Sequence, residues 1–136
     1  MKDSLAAGLG HTTRITVDKG RTISFMGDDL RVYATPSVVL DVESTCRDLL
    51  LQHVEDREDS VGTRVVIDHM APTMLDMWAE ISIEIAKVDG RLVTFEFTVR
   101  DAVEDVAKGT HMRFVVDKEK TAQRLAAKAA KAADGS

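Results

Sequence analysis

A single cysteine, Cys46, stands in the 136 residues, so no intrachain disulfide can form and the thiol usage suits a reducing compartment. Long apolar runs are missing too. Nothing approaches the roughly 20 consecutive apolar residues of a membrane span, and the opening "MKDSLAAGLG" lacks the apolar stretch of a signal peptide. These absences lead to the expectation of a soluble, cytoplasmic protein with no membrane partner. Basic residues are outnumbered, 18 Lys and Arg against 23 Asp and Glu, for a formal net charge of −5. Nucleic acid and anionic membranes usually need a concentrated basic patch, so neither is an expected partner. The four histidines are dispersed, with no HxxxH, HxH or CxxC spacing, and "GLGH" lacks the third glycine and the preceding strand of a dinucleotide loop. No metal and no cofactor are therefore expected. Two prolines and eight glycines leave no Pro-rich or Gly-rich linker. One domain over residues 1–136 follows, with a core at about 10–117 and a peripheral helical tail over 118–136.

What is present is one strong helix and several alternating strands. Thr35 and Pro36 read as the cap and first position of a helix running to His53, with Val38, Val39, Val42, Cys46, Leu49 and Leu50 as its apolar stripe. The acidic "EDREDS" reads as its end. Residues 11–17 alternate as a strand, and "ISFMGDDLRVYA" is a connector of flap length with a turn at Gly27-Asp28. Four further segments, "GTRVVIDHMA", "MWAEISIEIAKV", "RLVTFEFTVRDA" and "GTHMRFVVD", read as an antiparallel meander, the middle two joined through Asp89-Gly90. In the third of them Val93, Phe95, Phe97 and Val99 alternate with polar residues, which leaves one apolar face for a helix to cover. A strand, a long helix and a meander, in that order, are how a sheet wraps around a central helix, the hotdog arrangement, which composition and periodicity leave as one α+β option among several. The tail "KEKTAQRLAAKAAKAADGS" has high helix propensity but little apolar face beyond Leu125, and its lysines read as a solvated surface.

The chemistry begins with a misfit. At about 100° per residue Glu43 falls between Val39 and Leu50, on the side expected to be buried, where an unpaired carboxylate is costly. In the strand that follows, Val65, Ile67, His69 and Ala71 share the face opposite Arg64 and Asp68, so His69 projects toward the helix and is the expected partner of Glu43. Alone, a histidine on an apolar face is more often a packed core residue. A hydroxyl at Thr35, a carboxylate at Glu43 and an imidazole at His69, all directed into one space, form a nucleophile and general-base set. His11 and His111 read as structural residues, and His53 as a favourable charge at a helix end.

"YATPSVVLDVE", "VGTRVVIDHMAPT" and "GTHMRFVV", at these separations, resemble the fluoroacetyl-CoA thioesterase family and its broader hotdog relatives, over roughly residues 10–117. The most specific part is the threonine with a glutamate eight residues later, then Gly-Thr and a histidine seven residues after that glycine. The resemblance implies catalytic roles for Thr35, Glu43 and His69, and substrate-binding roles for Gly62 and Arg113. It also implies a homodimer that hydrolyses short acyl-CoA thioesters at the subunit interface. Glu43 would attack the thioester carbonyl to give an anhydride or would activate water, and backbone N–H groups at the helix start or near Gly62 would receive the oxyanion. A noncatalytic acyl-CoA or metabolite-binding hotdog module is the competing reading, and a hotdog hydratase fits the layout less well. Fluoroacetyl-specific members have a longer, more aromatic flap, whereas this one offers only Phe25 and Tyr33. Discrimination in favour of a fluorinated acyl group is accordingly expected to be small.

Overall fold

The structure, a computed structural model, describes residues 1–135. Strand β1 (Gly10–Thr16) leads through two single turns of 3-10 helix, Lys19–Arg21 and Asp28–Leu30, into helix α1 (Thr35–Leu51). Strands β2 (Glu58–His69), β3 (Trp78–Asp89), β4 (Leu92–Asp101) and β5 (Asp105–Asp117) follow, and helix α2 (Lys118–Gly135) ends the chain. All strand pairs are antiparallel and the spatial order is β1-β3-β4-β5-β2.

That order corrects the simple meander. β3, β4 and β5 are sequential neighbours, but β2 crosses to the far side and, among the described residues, pairs only with β5, leaving its other edge open. The hairpin between β3 and β4 has Gly90 and Arg91 at its tip. Gly90 takes a φ of +58°, the positive value that a two-residue hairpin asks of its first central residue.

The core follows the predicted alternation. Val93, Phe95, Phe97 and Val99 are all buried, as are Ile81, Ile83 and Ile85 beside them on β3. Against this face α1 lays Val38, Val42, Cys46, Leu49 and Leu50. Each such side chain contributes about 1.5–3 kcal/mol by leaving water. α2 buries none of its residues, as its composition predicts.

β2 begins earlier than the acidic run suggested, at Glu58. Glu58 and Ser60 point inward, whereas beyond Thr63 it is Val65, Ile67 and His69 that turn away from solvent. The register with β5 slips between Gly62 and Arg64. One extra residue at that bulge changes which parity faces the helix. The inward Glu58 is satisfied by Arg91 at 2.9 Å, by the Glu55 backbone N–H and by the amino group of Met1, which is why an acidic residue can start a buried strand.

Candidate active site

The first turn of α1 is built on Ala34, Thr35 and Pro36. Ala34, with extended backbone, occupies the cap position, one residue earlier than the sequence indicated, and no side chain caps the helix. The Thr35 hydroxyl is engaged elsewhere. Its Oγ1 lies 2.7 Å from Nδ1 of His69, at the end of β2. Burial pushes the His69 pKa below its ordinary value, with a smaller opposing influence from the Ala71 backbone, so the imidazole is neutral near pH 7. Its Nε2 is buried without a hydrogen-bond partner among the described residues. Such an atom is available to a substrate or to a water molecule.

This pair opens on a cavity of about 310 Å³ lined by Ile23, Phe25, Val32, Tyr33, Ala34, Thr35, His69, Met70, Ala71 and Pro72. The two flap aromatics differ in role. Phe25 is 82% exposed at the rim, whereas Tyr33 is buried and its hydroxyl donates to Asp41 at 2.5 Å. Arg21 closes on the same carboxylate at 2.9 and 3.2 Å. Burial, then the bond to Asp41, raises the Tyr33 pKa far above its usual range, so the phenol stays protonated. The base of the flap is thereby tied to the second turn of α1.

Glu43 lies two turns further along the helix and is half-buried, its side chain 35% exposed, rather than enclosed. Its partner is not His69. Arg113, on β5, donates from Nη1 to Glu43 Oε2 at 3.1 Å, and His111 Nε2 lies 3.9 Å from the same oxygen. Arg113 is buried, with Nε bonded to the Ser60 hydroxyl at 2.7 Å and Nη2 to the Ser60 carbonyl at 2.8 Å. Its guanidinium is fixed on three sides and holds Glu43 in one orientation, with Oε1 left unbonded among the described residues.

His111 Nδ1 is 2.9 Å from the Arg64 carbonyl, which can only accept, so Nδ1 carries the hydrogen. Nε2 is then a lone-pair acceptor for Arg113 Nη1, 3.2 Å away. Burial lowers the His111 pKa, and the nearby Arg113 adds to that effect, which keeps the ring neutral. Gly62 faces the same group: a methyl there would come within 2.5 Å of Glu43 Oε2 and 3.2 Å of the His111 ring. Only a glycine lets the β2 backbone approach the carboxylate this closely. Cys46 is enclosed nearby, and burial pushes its thiol up to about 12, which makes it an inert core group.

The structure therefore brings Thr35 together with His69, and Glu43 with Arg113 and Gly62, as two clusters. α1 and β2 run in opposite directions, so the start of the helix meets the end of the strand. Eight residues of helix separate Thr35 from Glu43 by about 12 Å. Seven residues of β2 separate Gly62 from His69 by about 20 Å. Sequence reasoning missed His111 and Ser60. His111 was signalled by its place two residues before Arg113 on one strand face, whereas Ser60 was concealed by the bulge.

Among solved structures, that of the fluoroacetyl-CoA thioesterase FlK superposes with a TM-score of 0.84 at 25% identity, covering 93% of this chain and 98% of that one. A hot-dog-like protein from Thermanaerovibrio acidaminovorans, at 20% identity, shares the fold with a TM-score of 0.83 over 90% and 91% of the two chains. The class is that of the hotdog-fold acyl-CoA thioesterases, which are thioester hydrolases. Residues 17–119 match the FlK, fluoroacetyl-CoA-specific thioesterase, family, and the chain belongs to that family. The fluoroacetyl-CoA thioesterase of Streptantibioticus cattleyicolor is 27% identical over 127 residues, 88% of this chain and 91% of its own.

Proposed function

We propose that the protein hydrolyses a short-chain acyl-CoA to the free acid and CoA, at a site that two copies of the chain complete together. The observation that carries this reading is the division of the polar residues. Thr35 and His69 line the cavity, Glu43 stands with Gly62 and Arg113, and the two clusters are too far apart for one small acyl group to touch both. The open edge of β2 supplies the remedy. Antiparallel pairing of β2 with its copy, about a twofold axis at Val66 and with the extra residue Thr63 taken up on both strands, sets Gly62 opposite the partner subunit's His69. Glu43 of one protomer then faces the thiol–acyl junction beside the Thr35–His69 pair of the other.

In that composite site Arg113 aims Glu43, whose free Oε1 either attacks the carbonyl, expelling CoA thiolate and leaving an anhydride that water hydrolyses, or takes a proton from the water that attacks the carbonyl and expels the thiolate. His69 Nε2 orients the water, Thr35 fixes the acyl group, and the backbone by Gly62 faces the oxyanion. Mixing two inactive homodimers tests the arrangement. Glu43→Gln and His69→Ala chains, denatured together and refolded, should regain about a quarter of wild-type turnover, because half the dimers are mixed and each holds one intact site. No recovery, with mixed dimers verified by mass, would place each site within one chain.

A further inference from the structure

At the end of the sheet, where β5 runs into α2, a second cavity of about 160 Å³ lies beside the exposed ring of Phe114. Three cations surround it. Arg91 comes from the β3–β4 turn, and Lys120 and Arg124 stand one turn apart on α2. Lys120 and Arg124 form no salt bridge among the described residues, and Arg91 uses Nη1 alone, on Glu58 and the Val115 carbonyl. The one carboxylate in the wall, Asp117, is already engaged. Its Oδ1 accepts from the backbone N–H groups of Glu119 and Lys120 at 3.0 and 3.1 Å, and its Oδ2 lies 3.4 Å from Arg57. Three positive groups thus converge on a hollow with little opposing charge.

The setting makes this unusual. The chain carries −5 overall, yet α2 holds Lys118, Lys120, Arg124, Lys128 and Lys131 against Glu119 and Asp134. A CoA thioester brings a diphosphate and a 3′-phosphate to a protein whose net charge repels it, so a local cation cluster is needed for capture. We propose that Arg91, Lys120 and Arg124 bind the phosphates of the CoA nucleotide, a role that rests on the thioesterase reading. Asp117 is four residues beyond Arg113 on the same strand, about 13 Å along it, and because Phe114 and Arg113 point to opposite faces of the sheet, the pantetheine arm has to pass around the end of β5 to join the two. Phe114 offers a ring face beside the cations for the adenine.

Two measurements test the proposal. Titration of adenosine 3′,5′-bisphosphate into the full chain at low salt should show binding that weakens about tenfold or more in Lys120→Ala/Arg124→Ala. The double variant Lys128→Ala/Lys131→Ala removes the same charge further along α2 and should bind as the wild type does. In kinetics, the ratio of KM for an acyl-CoA to KM for the matching N-acetylcysteamine thioester, which lacks the nucleotide, should rise by about the same factor only in the first variant. Since α2 buries none of its residues, these substitutions leave the core untouched. Equal bisphosphate binding by the wild type and Lys120→Ala/Arg124→Ala, or an unchanged KM ratio, overturns the assignment. Bisphosphate binding that depends on Lys120 and Arg124, with neither thioester hydrolysed, would leave this site standing and overturn the thioesterase reading instead.

Discussion

Glu43 and Arg113 form an ion pair in which, on the proposed mechanism, one group acts and the other aims. Glu43→Gln keeps the shape but loses the charge and the basicity, and turnover of a short acyl-CoA should fall by about two orders of magnitude or more. If Glu43 and His69 serve one step, the double variant with His69→Ala should lose far less than the product of the single losses. Arg113→Lys keeps a cation but cannot reproduce three fixed contacts, so kcat should drop by up to about a hundredfold with KM little changed. A KM effect alone would show that Arg113 contacts substrate directly. At this scale the sequence was informative about identity and not about pairing. Glu43 and His69 could be named because a carboxylate and an imidazole were odd on apolar faces, and Thr35 because its hydroxyl stood at the helix start beside them. That Thr35 would meet His69 while Glu43 met Arg113 depends on α1 and β2 running in opposite directions beside each other, which periodicity within either segment does not contain.

Elements explain both what was legible and what was not. β4 and β3 could be read directly, because a face buried on one side alternates with period two and every buried residue from Val93 to Val99 obeys it. The position of β2 beside β5 could not, because sequence order favours neighbours and this strand crosses the sheet. Gly62 is where element geometry bears on the proposed site. Gly62→Ala puts a methyl 2.5 Å from Glu43 Oε2, so the carboxylate must move. Turnover should fall at least about tenfold, while Tm shifts little because Gly62 lies on an exposed edge strand. Parallel kinetic and thermal measurements check this, and a large Tm loss would assign Gly62 a purely structural role.

For the molecule as a whole, acid stability and substrate choice are the properties open to measurement. Burial raises the Glu58 pKa, but the Met1 amino group, the Glu55 backbone and Arg91 more than offset this and hold it down at about 2, against an ordinary 4.5. A depressed carboxyl pKa stabilises the fold above the unfolded value, and that contribution disappears as pH falls from about 4.5 toward 2. Glu58→Gln should therefore lower stability at neutral pH and flatten the decline of denaturation midpoint across that interval. An equally steep decline in the variant would assign acid unfolding to other groups. Substrate choice follows from the flap. With Phe25 exposed and Asp28 and Asp29 on the same segment, no tight apolar lid closes over the cavity. Acetyl-CoA and fluoroacetyl-CoA should have specificity constants within about two orders of magnitude of each other. Side-by-side kinetics decide it, and a thousandfold preference for the fluorinated ester would contradict the flap argument.

The bulge at Thr63 has a genetic consequence. Upstream of it the even-numbered residues Glu58 and Ser60 face inward, and downstream the odd-numbered Val65, Ile67 and His69 do. Remove the Thr63 codon and the alternation runs unbroken: Glu58, Ser60 and Gly62 stay inward, and Val65, Ile67 and His69, each one place earlier, stay inward too. Neither Ser60 nor His69 changes face. A three-base deletion at this one position should therefore leave the enzyme active, where loss of Glu43 would silence it. Related chains that lack the residue should show their inward polar positions displaced by one.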